Sequence, residues 1–187
     1  YDEQKYILIG ISGGIAAFQI PDLLRRLKKA GRRAKVILTK NALRMVNIEE
    51  LNSLSDSVHT QLFPADFNYR EVMRTQRVIH LELARGASAF LIAPATANII
   101  AKLARGIADD LLTTTALVMR SPIIFCPSMS EEMWMNPAVQ ENVAILEKRG
   151  YKRLGPVMGP LVYGNFGQGS MASIDSMLQA LEQVVQK

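Results

Sequence analysis

Short apolar runs recur along the chain, bounded by glycine, proline or small polar residues. Between them lie stretches whose apolar positions return every three or four residues. The runs predict strands buried on both faces, and the stretches predict amphipathic helices. Strands are expected at Lys5–Gly10, Ala34–Leu38, Phe90–Ile92, Pro122–Cys126 and Tyr151–Leu154. Helices are expected at Ile15–Lys29, Asn47–Ser57, Val78–Ala84, from Thr96 or Asn98 onward, and at Leu111–Met119, Pro137–Arg149 and Ile174–Val185. Phe63–Thr75 reads as a polar, irregular and mobile loop, and Gly155–Ser170, rich in Gly and Pro, as loop.

Strand and helix alternating in this way predict an α/β protein: a parallel, doubly wound sheet between helical layers, as one domain over residues 1–187. Ligands of such sheets bind outside the carboxyl ends of the strands. Ser12, Thr39 and Thr96 fall at three of those ends and so share one edge. Ile11-Ser12-Gly13-Gly14 joins a strand to a helix, a turn that lets a phosphate approach backbone N–H groups. Its spacing is neither G-x-G-x-x-G nor a Walker loop, and a plain turn with glycines at positive φ explains it equally.

The longest distinctive stretch is Ala93–Leu117. It opens with Pro94, Ala95, Thr96, Ala97 and Asn98, small residues against which a flat ligand can lie. Thr96 and Asn98 also qualify as simple helix caps. His80, on an apolar helical face, reads as a core residue or as a catalyst. His59 lies in a polar segment that looks exposed, with no chemistry around it. Asp109-Asp110 after Gly106 fits a helix cap.

Composition narrows the class. Hydrophobic residues make up 49% and charged residues 21%, values that suit a globular core. No apolar run approaches the roughly 18 residues of a membrane span. The opening YDEQKY is polar, unlike a signal peptide. The one cysteine, Cys126, allows no internal disulfide and reads as core, so a cytoplasmic protein is expected. The net charge of +5 gathers between Arg25 and Lys35. Without interleaved aromatic residues, that run reads as a solvated helix end and not as a nucleic-acid surface.

Several motifs stand in order: G-I-S-G-G-I-A-A (Gly10 to Ala17), His80, P-A-T-A-N-I-I-A-K (Pro94 to Lys102), G-I-A-D-D-L-L-T (Gly106 to Thr113), P-S-M-S-x-x-M-W (Pro127 to Trp134) and N-P-x-x-Q-x-N (Asn136 to Asn142). Together they resemble the homo-oligomeric flavin-containing cysteine decarboxylases, which include phosphopantothenoylcysteine decarboxylase and the peptidyl-cysteine decarboxylases of lantibiotic-like pathways. The resemblance runs from Ile7 to about Met171. It implies a flavodoxin-like (Rossmann-like) three-layer fold, bound FMN, and a homotrimer or dodecamer with flavin near a subunit interface. By position it puts Ser12, Gly13, Gly14 and Thr39 at the FMN phosphate and Pro94, Ala95, Thr96, Ala97 and Asn98 at the flavin ring. It makes His80 the base and Met129, Ser130 and Tyr163 the substrate side.

The chain also departs from the family. Ser130 replaces an asparagine that helps hold the substrate carboxylate. Tyr163 replaces the late-loop cysteine with which phosphopantothenoylcysteine decarboxylases complete a final reduction, and Ser170 replaces a basic residue. The implied chemistry oxidises the C–S carbon of a cysteine to a thioaldehyde, so that the neighbouring carbon can lose CO2 and leave an enethiolate. Without the reducing cysteine, the expectation is an oxidative decarboxylase that stops at the enethiol, acting on a peptide C-terminal cysteine. The alternatives are phosphopantothenoylcysteine decarboxylase of coenzyme A biosynthesis and a non-catalytic FMN-binding subunit.

Overall fold

The computed structural model describes residues 5–63, 67–161 and 164–185. The chain opens with β1 (Tyr6–Ile11), a 3-10 turn over Ile15–Gln19 and α1 (Ile20–Lys29). Next come β2 (Ala34–Leu38), α2 (Ile48–Leu54), β3 (Ser57–His59), α3 (Tyr69–Thr75), α4 (Ile79–Gly86) and β4 (Ala87–Ala95). Then follow α5 (Ala97–Arg105), α6 (Leu111–Val118), β5 (Ile123–Pro127), α7 (Glu131–Met135) and α8 (Pro137–Lys148). The chain ends with β6 (Lys152–Arg153), β7 (Val157–Pro160), β8 (Phe166–Ser170) and α9 (Ile174–Val185).

Six strands form one sheet in the order β3-β2-β1-β4-β5-β6, and every recorded pairing in it is parallel. The order reverses direction between β1 and β4, which is the switch point of a doubly wound fold. Successive strand residues face opposite layers. Ile7, Ile9 and Ile11 of β1, Leu91 and Ala93 of β4 and Cys126 of β5 join Leu23, Leu24 and Leu27 of α1 and Met177 and Leu181 of α9 in one core. Leu8 of β1, Phe90 and Ile92 of β4 and Phe125 of β5 pack on Leu83, Ile99, Leu103, Leu112 and Leu146 in the other. The result is the parallel, doubly wound sheet that the apolar runs predict, in the three-layer flavodoxin-like, Rossmann-type architecture that the family resemblance implies. No helix among the described residues is long and apolar enough to cross a membrane.

The differences from expectation share one cause: the missed elements bury little. The predicted helix Asn47–Ser57 stops at Leu54, and β3 takes over as a half-exposed edge strand. His59 is half-buried there, with Nε2 2.8 Å from Ser57 Oγ. Burial, and then the charge of Lys35, lower its pKa. Within the stretch expected to be irregular, α3 forms without one buried residue, capped by Asn68. β7 and β8 pair antiparallel where loop was expected. Near the end of β4 the register with β5 shifts between Ile92 and Ala95, around Pro94, which has no N–H to give to the ladder.

Four residues of the basic run from Arg25 to Lys35 meet acids or carbonyls: Arg25 pairs with Glu50, Arg26 with Asp22 and Asp175, Arg33 with Asp56, and Lys28 donates to the Ser53 carbonyl. Cys126 is fully buried, and burial pushes its thiol pKa up, as suits a core residue. Asp110 caps α6 by accepting the Thr113 N–H at 2.8 Å, while Asp109 pairs with Lys102 at 2.7 Å. The Lys102 bond holds the Asp109 carboxyl below its usual range. The adjacent acids therefore act in the fold, one as a cap and one as a tie between α5 and the turn that follows it.

Candidate functional site

The switch point is built around one buried hydroxyl. Ser12, 2% exposed, follows the last residue of β1. Its Oγ donates to the Pro94 carbonyl at 2.6 Å and accepts the Thr96 N–H at 3.1 Å. Its own N–H reaches the Pro94 carbonyl at 3.4 Å. Burying a hydroxyl without partners costs on the order of 1–3 kcal/mol, so both ends of this bridge are needed. Ser12 is thus occupied within the protein: it fixes the ends of β1 and β4 to each other. The Ala93–Pro94 peptide at this junction is cis.

Gly13 and Gly14 continue over the junction. The Gly14 N–H donates to the Ser12 carbonyl at 2.8 Å. A Cβ on Gly13 would fall 2.4 Å from Asn41 Cβ, and one on Gly14 would fall 3.1 Å from Pro94 Cγ. The turn is therefore threaded between the β2 loop and Pro94, with room for glycine alone at position 13 and a tight fit at position 14. Thr39 stands on the β2 side, half-buried. It donates its N–H to the Ile11 carbonyl at 3.1 Å, and its carbonyl accepts from Ala42 at 3.0 Å.

On the β4 side Pro94 and Ala95 are buried, Thr96 and Ala97 half-buried and Asn98 exposed. Thr96 caps α5, with Oγ1 accepting the Ile99 N–H at 3.4 Å. The 3-10 turn and α5 both begin at this edge, so their leading N–H groups and positive dipole ends converge on it. None of the residues from Ser12 to Gly14 or Pro94 to Asn98, nor Thr39, carries a negative charge. Ile15 and Phe18 lie beside them, 54% and 66% exposed.

The Met129–Ser130 turn reaches the same edge by another route. Ala95 pairs with Pro127, and the Ser128 N–H donates to the Ala95 carbonyl at 3.1 Å. Ser130 caps α7, its Oγ accepting the Met133 N–H at 3.3 Å. The Glu132 carboxyl is held below its usual range by its own backbone N–H and then by the Ser130 hydroxyl. The Ser130 hydroxyl therefore acts as the acceptor that caps its own short helix. Tyr163 lies outside the described residues.

His80 is the second residue of α4, whose far end runs directly into β4. α4 packs against α6, and its Leu83 joins the core that holds Phe90 of β4. The ring is half-buried, and Nδ1 is buried with no hydrogen-bond partner. Loss of solvent lowers its pKa, so the ring is neutral at pH 7. No hydrogen bond joins it to the network of Ser12, Pro94 and Thr96.

Two contributors were not singled out from the sequence. Asn41 packs under Gly13, and Glu131 accepts the Gln168 N–H at 2.9 Å. Asn41 stands in no quoted motif, Glu131 fills only an unspecified position of P-S-M-S-x-x-M-W, and only the folded chain brings their partners near.

The chain matches the model of the Flavoprotein family over residues 1–186. The coenzyme A biosynthesis bifunctional protein CoaBC of Vibrio vulnificus is 37% identical over 182 residues, covering 97% of this chain but 44% of that protein. The chain thus spans less than half the length of that curated relative. A protein of Streptococcus mutans, described as a probable phosphopantothenoylcysteine decarboxylase, is 36% identical over 96% of this chain and 98% of its own. Among solved structures, the FMN-dependent cysteine decarboxylase SpaF superposes with a TM-score of 0.79 at 28% identity, covering 97% of this chain and 98% of that one. With its six-stranded parallel sheet, its glycine turn against Pro94 and this similarity along its whole length, the chain belongs to the Flavoprotein family.

Proposed function

We propose that the chain binds FMN at the switch point and decarboxylates a cysteine-derived carboxylate, with phosphopantothenoylcysteine as the substrate. The observation that carries this reading is the junction itself: a glycine turn, a helix start and an uncharged β4 end, locked together by Ser12 beside the Ser130 turn. Backbone N–H groups and the Thr39 hydroxyl suit a phosphate, and the small residues from Pro94 to Asn98 suit the face of a flat ring. The match to the S. mutans protein along nearly both full lengths supports this substrate over the peptide C-terminal cysteine that the family resemblance first implied.

When bound, FMN supplies the two-electron oxidation of the substrate's C–S carbon. The protein's part is position and proton transfer. His80, neutral at pH 7, is suited to take the thiol proton as the C–S carbon becomes a thioaldehyde. The carboxylate then leaves as CO2, and its electron pair settles into the enethiolate; a net loss of CO2 alone further requires that the two electrons taken up by bound FMN return to the enethiol together with a proton. Ser130 sits where the family uses an asparagine, and its own hydrogen bonds leave it a weak grip on that carboxylate.

The absence of a cysteine at position 163 favours a second reading for the end of the reaction, in which the product remains the enethiol and the substrate is a peptide ending in cysteine. Mass spectrometry with added FMN distinguishes the outcomes. A loss of about 44 mass units from phosphopantothenoylcysteine is expected. A loss of about 46 (CO2 plus two hydrogens), from a peptide alone, overturns the proposed substrate. No change in either, or flavin other than FMN released on denaturation, overturns catalysis or the cofactor.

Large apolar side chains are exposed near this edge, among them Ile15, Phe18, Met133 and Met135. Their cover in the proposed assembly is further copies of the chain, as a homotrimer or dodecamer. Light scattering at micromolar concentration is expected to give a multiple of three chains, and a species near 20.7 kDa excludes it.

His80→Asn is expected to leave FMN binding intact, because the two side chains are similar in size, and to lower turnover by about 10²- to 10⁴-fold. In the unmodified protein the rate should be flat near neutral pH and fall as pH drops through the lowered histidine pKa, below 6.5. The variant should lose that acid limb. Turnover unchanged in the variant removes His80 from the mechanism.

Ser130→Asn preserves the cap, since asparagine caps helices as well as serine does. It also adds an amide able to reach a carboxylate. A charge-assisted hydrogen bond of roughly 1.5–3 kcal/mol predicts a gain of about tenfold or more in kcat/KM. A loss in the same assay shows that position 130 is adapted to another substrate group.

A further inference from the structure

β7 and β8 form their own two-stranded sheet, which shares no ladder with the six-stranded one. Two hydrogen bonds fasten β8 to the residues on either side of Ser130. The Met129 N–H donates to the Gly169 carbonyl at 3.1 Å. The Glu131 carboxylate accepts the Gln168 N–H at 2.9 Å. The surfaces meet so closely that a Cβ on Gly169 would lie 2.2 Å from the Met129 carbonyl oxygen, and one on Gly167 would lie 2.9 Å from Glu131 Oε2.

Glu131 has no basic partner among the described residues, so its charge is given to a backbone amide. Such a bond is about twice as strong as a neutral one. Glu131 also opens α7, where a carboxylate is favoured by the leading N–H groups. Ser130 caps α7 by accepting the Met133 N–H, and no hydrogen bond joins its hydroxyl to β8 among the described residues.

We propose that Glu131 is a positioning residue for substrate: by holding the Gln168 amide it locks β8 onto the turn of Met129 and Ser130 and so fixes the substrate side of the site. This rests on the reading of that turn as the substrate side. The role is one of geometry, and Glu131 takes no part in proton transfer.

Hydrogen exchange at the Gln168 amide, together with steady-state kinetics on phosphopantothenoylcysteine, tests it in the FMN-loaded protein. In Glu131→Ala, exchange at Gln168 should speed up by about tenfold or more. FMN content should be unchanged, and KM should rise by about the same factor while kcat moves little. Glu131→Gln keeps an acceptor oxygen and should restore most of both. Gly169→Ala, which forces β8 away from the Met129 carbonyl without touching Glu131, should reproduce the rise in KM.

Unchanged Gln168 exchange in Glu131→Ala overturns the latch. Faster exchange with an unchanged KM overturns its role toward substrate. If the unmodified protein turns over nothing, the functional reading fails, and Gln168 exchange alone decides the latch.

Discussion

The buried hydroxyl of Ser12 is the constraint on which the rest of the site depends. A parallel sheet that reverses its winding direction leaves a crevice between the two strands at the reversal, here β1 and β4. Nothing in the ladder fixes the loops that leave those strands. Ser12 does so by donating to Pro94 and accepting from Thr96 across the crevice. Because its side chain is nearly inaccessible, water cannot replace either partner, and the two loops hold one relative position. The start of α5, the glycine turn and the Thr39 loop then take their places against that fixed point.

Motifs that look like chemistry divide, in the folded protein, into those that shape the site and those that hold the layers. Lys102 from one motif pairs with Asp109 from the next, and Asp110 caps α6. The pair is partly solvated, so it contributes about 1 kcal/mol or less and mainly orients the turn. Burial of Phe90, Phe125, Leu112 and their neighbours carries the layer packing.

The proposed substrate side is assembled differently from the proposed flavin side. On the proposed flavin side, loops that directly follow central strands are tied to each other by the Ser12 hydroxyl. On the proposed substrate side, Ser130 caps a short helix, and its neighbours Met129 and Glu131 are pinned by a ribbon that belongs to another sheet.

The sequence by itself determined the layers. Apolar runs over β1, β2, β4 and β5 and periodic stretches over α1, α6, α8 and α9 leave no other low-energy arrangement than strands between helices, because each buried face needs a partner. It also placed Ser12, Thr39 and Thr96 on one edge, since chain direction alone decides which end of a parallel strand a residue occupies. It did not reveal β3, α3 or the β7–β8 ribbon, whose residues are mostly exposed and carry no periodic signal. Nor did it reveal that the Ser12 hydroxyl is turned inward, that Asn41 backs Gly13, or that Glu131 reaches Gln168. Those facts depend on distances between residues far apart in the chain. Only the tertiary structure sets such distances, because local composition fixes which face is buried but not which polar atom across the fold meets another.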